Sequence, residues 1–246
     1  MRANKFIFSL IIVVSFSFGC SKKDAVTIQN NLDYKTLGTS ARDMLSSEKY
    51  TSLKIEIQYM PGYQPDQTAV TNFTNFLTTL INKPGGVSVT EQQIPASGKT
   101  TLTIDDVVSI EKANRTAFTN GNQIALHILV ADADYSGAHI VGISYWNTSI
   151  CLFGKLIFAN SGGIGMVSRT RLENIVLDHE VGHILGLVNQ GSPMQVNHLD
   201  ASNGMHCNNS ACLMYYAIET AAVGGASSFP DLDANCRADL KANGGK

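Results

Sequence analysis

From Thr51 to Met60 apolar and polar positions alternate, with Leu53, Ile55, Ile57 and Tyr59 on one side. That period of two predicts a strand, ended by Pro61-Gly62. Between Asp66 and Asn82 the apolar residues Val70, Phe73, Phe76, Leu77, Leu80 and Ile81 recur at helical spacing, and Pro84-Gly85-Gly86 stops the helix. Val87–Ile94 predicts a second strand. Thr103-Ile104-Asp105-Asp106 has the form of a capping box opening a helix to about Phe118. Ile124–Ala131 is almost wholly apolar, as in a central strand buried on both faces, and His127 within it reads as a core histidine. Two further strands, His139–Trp146 and Ile150–Ala159, flank Asn147-Thr148, and Ser161–Gly165 reads as a flexible turn. A helix is expected over Arg169–Leu185. Beyond Leu187 Gly, Asn and Ser become frequent, and a short helix closes the chain at Ala234–Ala242. The order implies an α/β (α+β) fold: a mixed twisted sheet with helices, divided into an N-terminal part, about 46–187, and an irregular C-terminal subdomain, about 188–246.

The N-terminus departs from this pattern. Arg2 and Lys5 precede an apolar run, Phe6–Phe18, too short for the roughly 20 residues of a spanning helix. Ser17-Phe18-Gly19-Cys20 resembles the lipobox of bacterial lipoproteins. That resemblance implies removal of residues 1–19, lipidation of Cys20 and a polar tether over 20–45. The mature chain would be exported and anchored to a bacterial membrane, facing the periplasm or the surface.

Composition narrows the function. Of 246 residues 15% are charged, and 18 Lys and Arg against 20 Asp and Glu leave a net charge of −2. No basic footprint for nucleic acid is present, and no acidic tail. A lipid-anchored monomer acting on a peptide or protein substrate is the expectation that remains.

The chemistry concentrates in His179-Glu180-Val181-Gly182-His183. On a helix, positions i and i+4 share a face, so both imidazoles can bind one Zn²⁺, and Glu180 can act as general base towards a metal-activated water. Gly186, three residues past the second His, allows a left-handed turn that brings a further ligand from beyond the helix. This His-Glu-x-x-His-x-x-Gly pattern resembles the metzincin metallopeptidases. In that clan the third ligand stands three residues after the Gly, where this chain has Asn189, a poor zinc ligand. Further on, His206-Cys207, then Cys212 and Met214, resembles the archaemetzincin signature and bacterial proteins described as membrane metalloproteases. The resemblance implies a zinc-dependent endopeptidase with His206 as third ligand, and His198 as the competing choice. It further implies Met214 as the Met-turn residue beneath the metal and Tyr216 as a candidate for stabilising the oxyanion. The strand Ser149–Ala159 would be the substrate-binding edge.

Archaemetzincins hold a second, structural zinc with four cysteines. Here Asp233 stands where the fourth would be, so Cys207, Cys212 and Cys236 with Asp233 remain one option. In an oxidising compartment disulfides Cys207–Cys212 and Cys151–Cys236 are expected instead. Two rival functions stay open: a lipid-anchored surface binding protein with a vestigial metal site, and a zinc hydrolase of non-peptide amides.

Overall fold

The structure is a computed structural model that describes residues 32–137, 140–219 and 229–246. The expected signal segment 1–19, Cys20 and His139 lie outside the described residues, which all belong to the unit Asn31–Lys246. Among the described residues no helix is long and apolar enough to cross a membrane.

The sheet grows from β1 (Ser52–Tyr59), β2 (Val87–Gln93), β4 (Gln123–Ala131), β6 (Gly142–Trp146) and β7 (Ser149–Phe153), in the order β2-β1-β4-β7-β6. All pairings are parallel except β6 with β7. A short parallel pair, β3 (Thr101–Leu102) with β5 (Asp134–Tyr135), stands beside it. The fold is therefore mixed α/β with a mostly parallel sheet.

Side-chain alternation distributes β4 between two layers. Ile124, Leu126, Ile128 and Val130 enter the main core against α2 (Gln67–Leu80) and α5 (Arg169–Ile184). Leu129 and Ala131 face a smaller core that includes Val107 of α3 (Ile104–Asn114). His127, on that second side, is held neutral by burial, with Nε2 3.0 Å from Gln58 Oε1. The same layer buries Glu111, which accepts from Arg115 at 2.7 Å and from Ser149 at 2.8 Å, so its carboxylate is paired.

Helix ends follow local chemistry. Asp66 caps α2 by accepting from the backbone N–H groups of Thr68 and Ala69, and the Thr103–Asp106 capping box opens α3. Ser168 accepts the Arg171 N–H at the start of α5. Glu173 of α5 accepts the Asp66 N–H at 2.7 Å and so ties α5 to the start of α2. Burial holds its carboxyl up at about 6 against an ordinary 4.5, although the Asp66 N–H opposes the rise. A group raised on folding takes up protons as the chain folds. Its contribution is most favourable below the unfolded value and is lost as pH rises through the folded one. Relative to Glu173→Gln, the parent should lose about 2 kcal/mol of stability between about pH 4 and pH 7. Urea unfolding of both proteins across that range checks this, and a pH-independent difference would refute it.

Three expectations need correction. The apolar run Ile150–Ala159 is not one strand: β7 ends at Phe153 and α4 (Gly154–Ala159) follows. A Cβ on Gly154 would lie 2.8 Å from Tyr63 Cδ1 and 3.0 Å from the Ala131 carbonyl, so the chain turns where only glycine fits. Nor is β7 an edge, because the antiparallel β6 lies outside it. The polar stretch 20–45 is folded in its later part: Met44 and Leu45 of α1 (Ala41–Leu45) enter the main core, and buried Asp33 accepts the Thr119 N–H at 2.8 Å.

Candidate metal centre

α5 is a buried central helix, with Leu172 through Ile184 all shielded from solvent. Its one-turn spacing brings His179 Nε2 and His183 Nε2 to 3.1 Å. Two nitrogens on a tetrahedral zinc with ~2.05 Å bonds stand about 3.3 Å apart. Gly186, at φ +79°, ends the helix, and Val188 (φ +52°) and Asn189 (φ +65°) continue the reversal. Asn189 is exposed by this turn and stays out of the site.

The loop beyond returns His206 to the pair. Its ring lies 5.4 Å from that of His179 and 5.2 Å from that of His183, and one ligand nitrogen from each histidine lies within 4.8 Å of the others. All three are buried. His179 Nδ1 is 2.7 Å from the Leu213 carbonyl oxygen, and His206 Nδ1 is 2.9 Å from that of Asn203. A carbonyl only accepts, so both Nδ1 atoms carry the proton and both Nε2 atoms keep a lone pair. This donor set, buried, convergent and in the ligating tautomer, fits a zinc ion.

Met214 packs under the pair. A Cβ on Gly182 would come within 2.3 Å of its Sδ, which explains the glycine inside the motif. Glu180 is fully buried, and its Oε2 accepts from Ser144 Oγ of β6 at 2.8 Å. Ser144 Oγ also lies 2.8 Å from the Glu180 carbonyl. Gly142, two residues earlier, makes the room: a Cβ there would lie 3.0 Å from Glu180 Cγ. Tyr216 begins a 3-10 turn, Tyr216–Glu219, is 37% exposed, and has its ring against Tyr215 at 4.7 Å.

His198 is not with this group. Its Nδ1 lies 3.3 Å from Cys207 Sγ and its Nε2 2.8 Å from Asp239 Oδ2, so both ring nitrogens face elsewhere. The disulfide expectation also fails, because all four described cysteines are free thiols. Cys151 sits in β7 inside the smaller core, whereas Cys236 belongs to the main one. Cys212 Sγ faces Cys236 Sγ at 3.6 Å rather than Cys207. Hydrogen bonding from Cys236 pulls the Cys212 thiol down to about 7, whereas burial pushes Cys207 up to about 12.

Ser144 and Asp239 escaped the sequence reading. Ser144 carries no signal in Gly142-Ile143-Ser144-Tyr145-Trp146. Asp239 had one: it stands three residues after Cys236, on the same face of a short helix.

Solved structures that resemble this one include the following two. Archaemetzincin from Methanopyrus kandleri is 14% identical, with a TM-score of 0.43, over 78% of this chain and 96% of that one. Metalloproteinase-II from Bacteroides fragilis is 14% identical, with a TM-score of 0.46, over 80% of this chain and 54% of that one. This chain therefore spans about half the length of the Bacteroides protein. No family model matches the chain, and no curated protein matches it in sequence.

Proposed function

We propose that this chain is a zinc-dependent endopeptidase. The observation that carries the proposal is the convergence of His179, His183 and His206, with the Nδ1 protons of His179 and His206 committed to backbone carbonyls. A zinc ion held by the three Nε2 atoms would supply Lewis-acid chemistry, activating a water and polarising a peptide carbonyl.

The chain's own residues do the rest. Glu180 takes the proton of the attacking water on its carboxylate and passes it to the leaving amine. Ser144 Oγ, donating to Oε2, holds that carboxylate in one orientation. Among the described residues β6 is the outer strand of the sheet, and it offers an extended peptide a strand to pair with, next to Ser144. Met214, buried below Gly182, supports the floor of the site. Tyr216 remains the candidate for the carbonyl oxygen's developing charge.

Elemental analysis of the full chain tests the proposal. His183→Ala should contain one zinc fewer per chain than the parent and should not cleave an unfolded protein that the parent cleaves. A zinc-loaded parent that binds peptides and hydrolyses none would overturn it in favour of the surface binding protein.

A further inference from the structure

β6 is bulged at the residue after Ser144. Ile143 pairs with Cys151 and Ser144 with Ile150, whereas Trp146 pairs with Ser149, so Tyr145 is one residue too many for the ladder. The inserted residue of a bulge is left out of the pairing, and bulges re-aim neighbouring side chains. Among the described residues no strand lies outside β6. The backbone at Tyr145 is therefore held by a ladder on neither side, and its side chain supplies the anchor. The ring packs against the smaller core, and the hydroxyl donates to Glu111 Oε2 of α3.

Glu111 is a fixed acceptor. It is fully buried, and its other oxygen accepts from Arg115 Nη1 at 2.7 Å and from Ser149 Oγ at 2.8 Å. Arg115, one turn on, is itself held: it donates to Thr148 Oγ1 at 3.2 Å and to the Ala117 carbonyl at 2.8 Å. Burial and the neighbouring Glu111 carboxylate push the Tyr145 phenol well above its ordinary value, so it remains a donor. Towards α5, Ser144 Oγ lies 2.8 Å from Glu180 Oε2 and 2.8 Å from the Glu180 carbonyl oxygen. A hydroxyl has one proton for these two acceptors. A small displacement of β6 decides whether the carboxylate or the carbonyl receives it.

We propose that Tyr145 is a positioning residue of the peptidase site: anchored on Glu111, it fixes the bulge of β6 so that Ser144 donates to the Glu180 carboxylate. The inference rests on the peptidase reading for its kinetic consequence and on the hydrogen bonds alone for its geometry. The link runs from α3 through β6 to α5, so it joins the buried polar group of the smaller core to the base on the other side of the sheet.

Tyr145→Phe keeps the ring and removes only the donor. In the zinc-loaded full chain it should lower kcat on a peptide by about three- to tenfold, the worth of one hydrogen bond, with KM and zinc content unchanged. In a Ser144→Ala background the same substitution should change kcat by less than about twofold, because residues that act through one contact are not additive. Glu111→Gln replaces a charged acceptor by a neutral one. It should act in the same direction and also lose its effect once Ser144 is alanine. A crystal structure of Tyr145→Phe gives a readout independent of turnover: Ser144 Oγ should leave Glu180 Oε2 and stay on the carbonyl. Tyr145→Phe with the parent kcat, or with Ser144 still bonded to Oε2, overturns the proposal. So does a loss of the same factor in the Ser144→Ala background, or one confined to KM. A parent that holds zinc and cleaves nothing would sink the peptidase reading, while the position of Ser144 in the variant crystal would still decide whether Tyr145 orients it.

Discussion

Glu180→Gln should retain the parent's metal content and lower kcat/KM on a peptide substrate by about a thousandfold, within the range typical of a lost general base. The metal stays because His179, His183 and His206 are untouched, and His179 and His206 take their orientation from backbone carbonyls. Glutamine preserves the shape of a side chain that is fully buried between α5 and β6, so the loss reads as lost proton transfer and not as collapse of the site. Ser144→Ala should act in the same direction but far less, by roughly tenfold, the worth of one hydrogen bond to a charged group. Elemental analysis paired with steady-state cleavage measures both. A glutamine variant that holds its zinc and cleaves at the parent rate would remove Glu180 from the mechanism.

Gly186→Ala should cost about 3–5 kcal/mol, the tail of single-substitution effects and a large share of a typical domain's 5–15 kcal/mol. Two terms combine. At φ +79° an L side chain is strained by about 1–2 kcal/mol. In addition the new Cβ would lie 2.6 Å from the Ser192 nitrogen, 2.7 Å from Ala41 Cβ and 2.9 Å from the Gly191 carbonyl carbon. Those are mainly backbone atoms of a packed turn, so the chain after α5 must move, and His206 with it. Gly162 separates the terms, because it has φ +76° and open space around its Cβ position. Gly162→Ala should cost only about 1–2 kcal/mol. Urea unfolding of the two variants decides: equal costs would mean that crowding at Gly186 contributes nothing.

The sequence by itself determined what depends on neighbours along the chain. The alternation of Leu53, Ile55 and Ile57 made β1, and the apolar run around Ile128 made the central β4. The Thr103–Asp106 box opened α3, and α6 (Ala234–Ala242) lies at the expected residues. The four-residue spacing of His179 and His183 placed both rings on one face, because a helix repeats every 3.6 residues whatever surrounds it. The positive φ of Gly186 was also readable, since a turn of that hand needs glycine.

Tertiary structure alone decided which distant groups meet. His206 and His198 are both histidines in an irregular segment, and no local periodicity distinguishes them. Only the path of the loop sends His206 to α5 and His198 to Asp239 and the thiols. Strand order could not be read either, because β6 and β7 are both short and apolar, and the edge position follows from which one pairs with β4. The same holds for Asp33, Met44 and Leu45, buried within a segment that is polar in composition, because their partners Thr119, Arg115 and the main core lie far along the chain. Four cysteines allow several pairings on paper, but only the loop and α6 decide which sulfurs meet: Cys212 faces Cys236, Cys207 and Cys236 approach His198, and Cys151 lies apart in the smaller core.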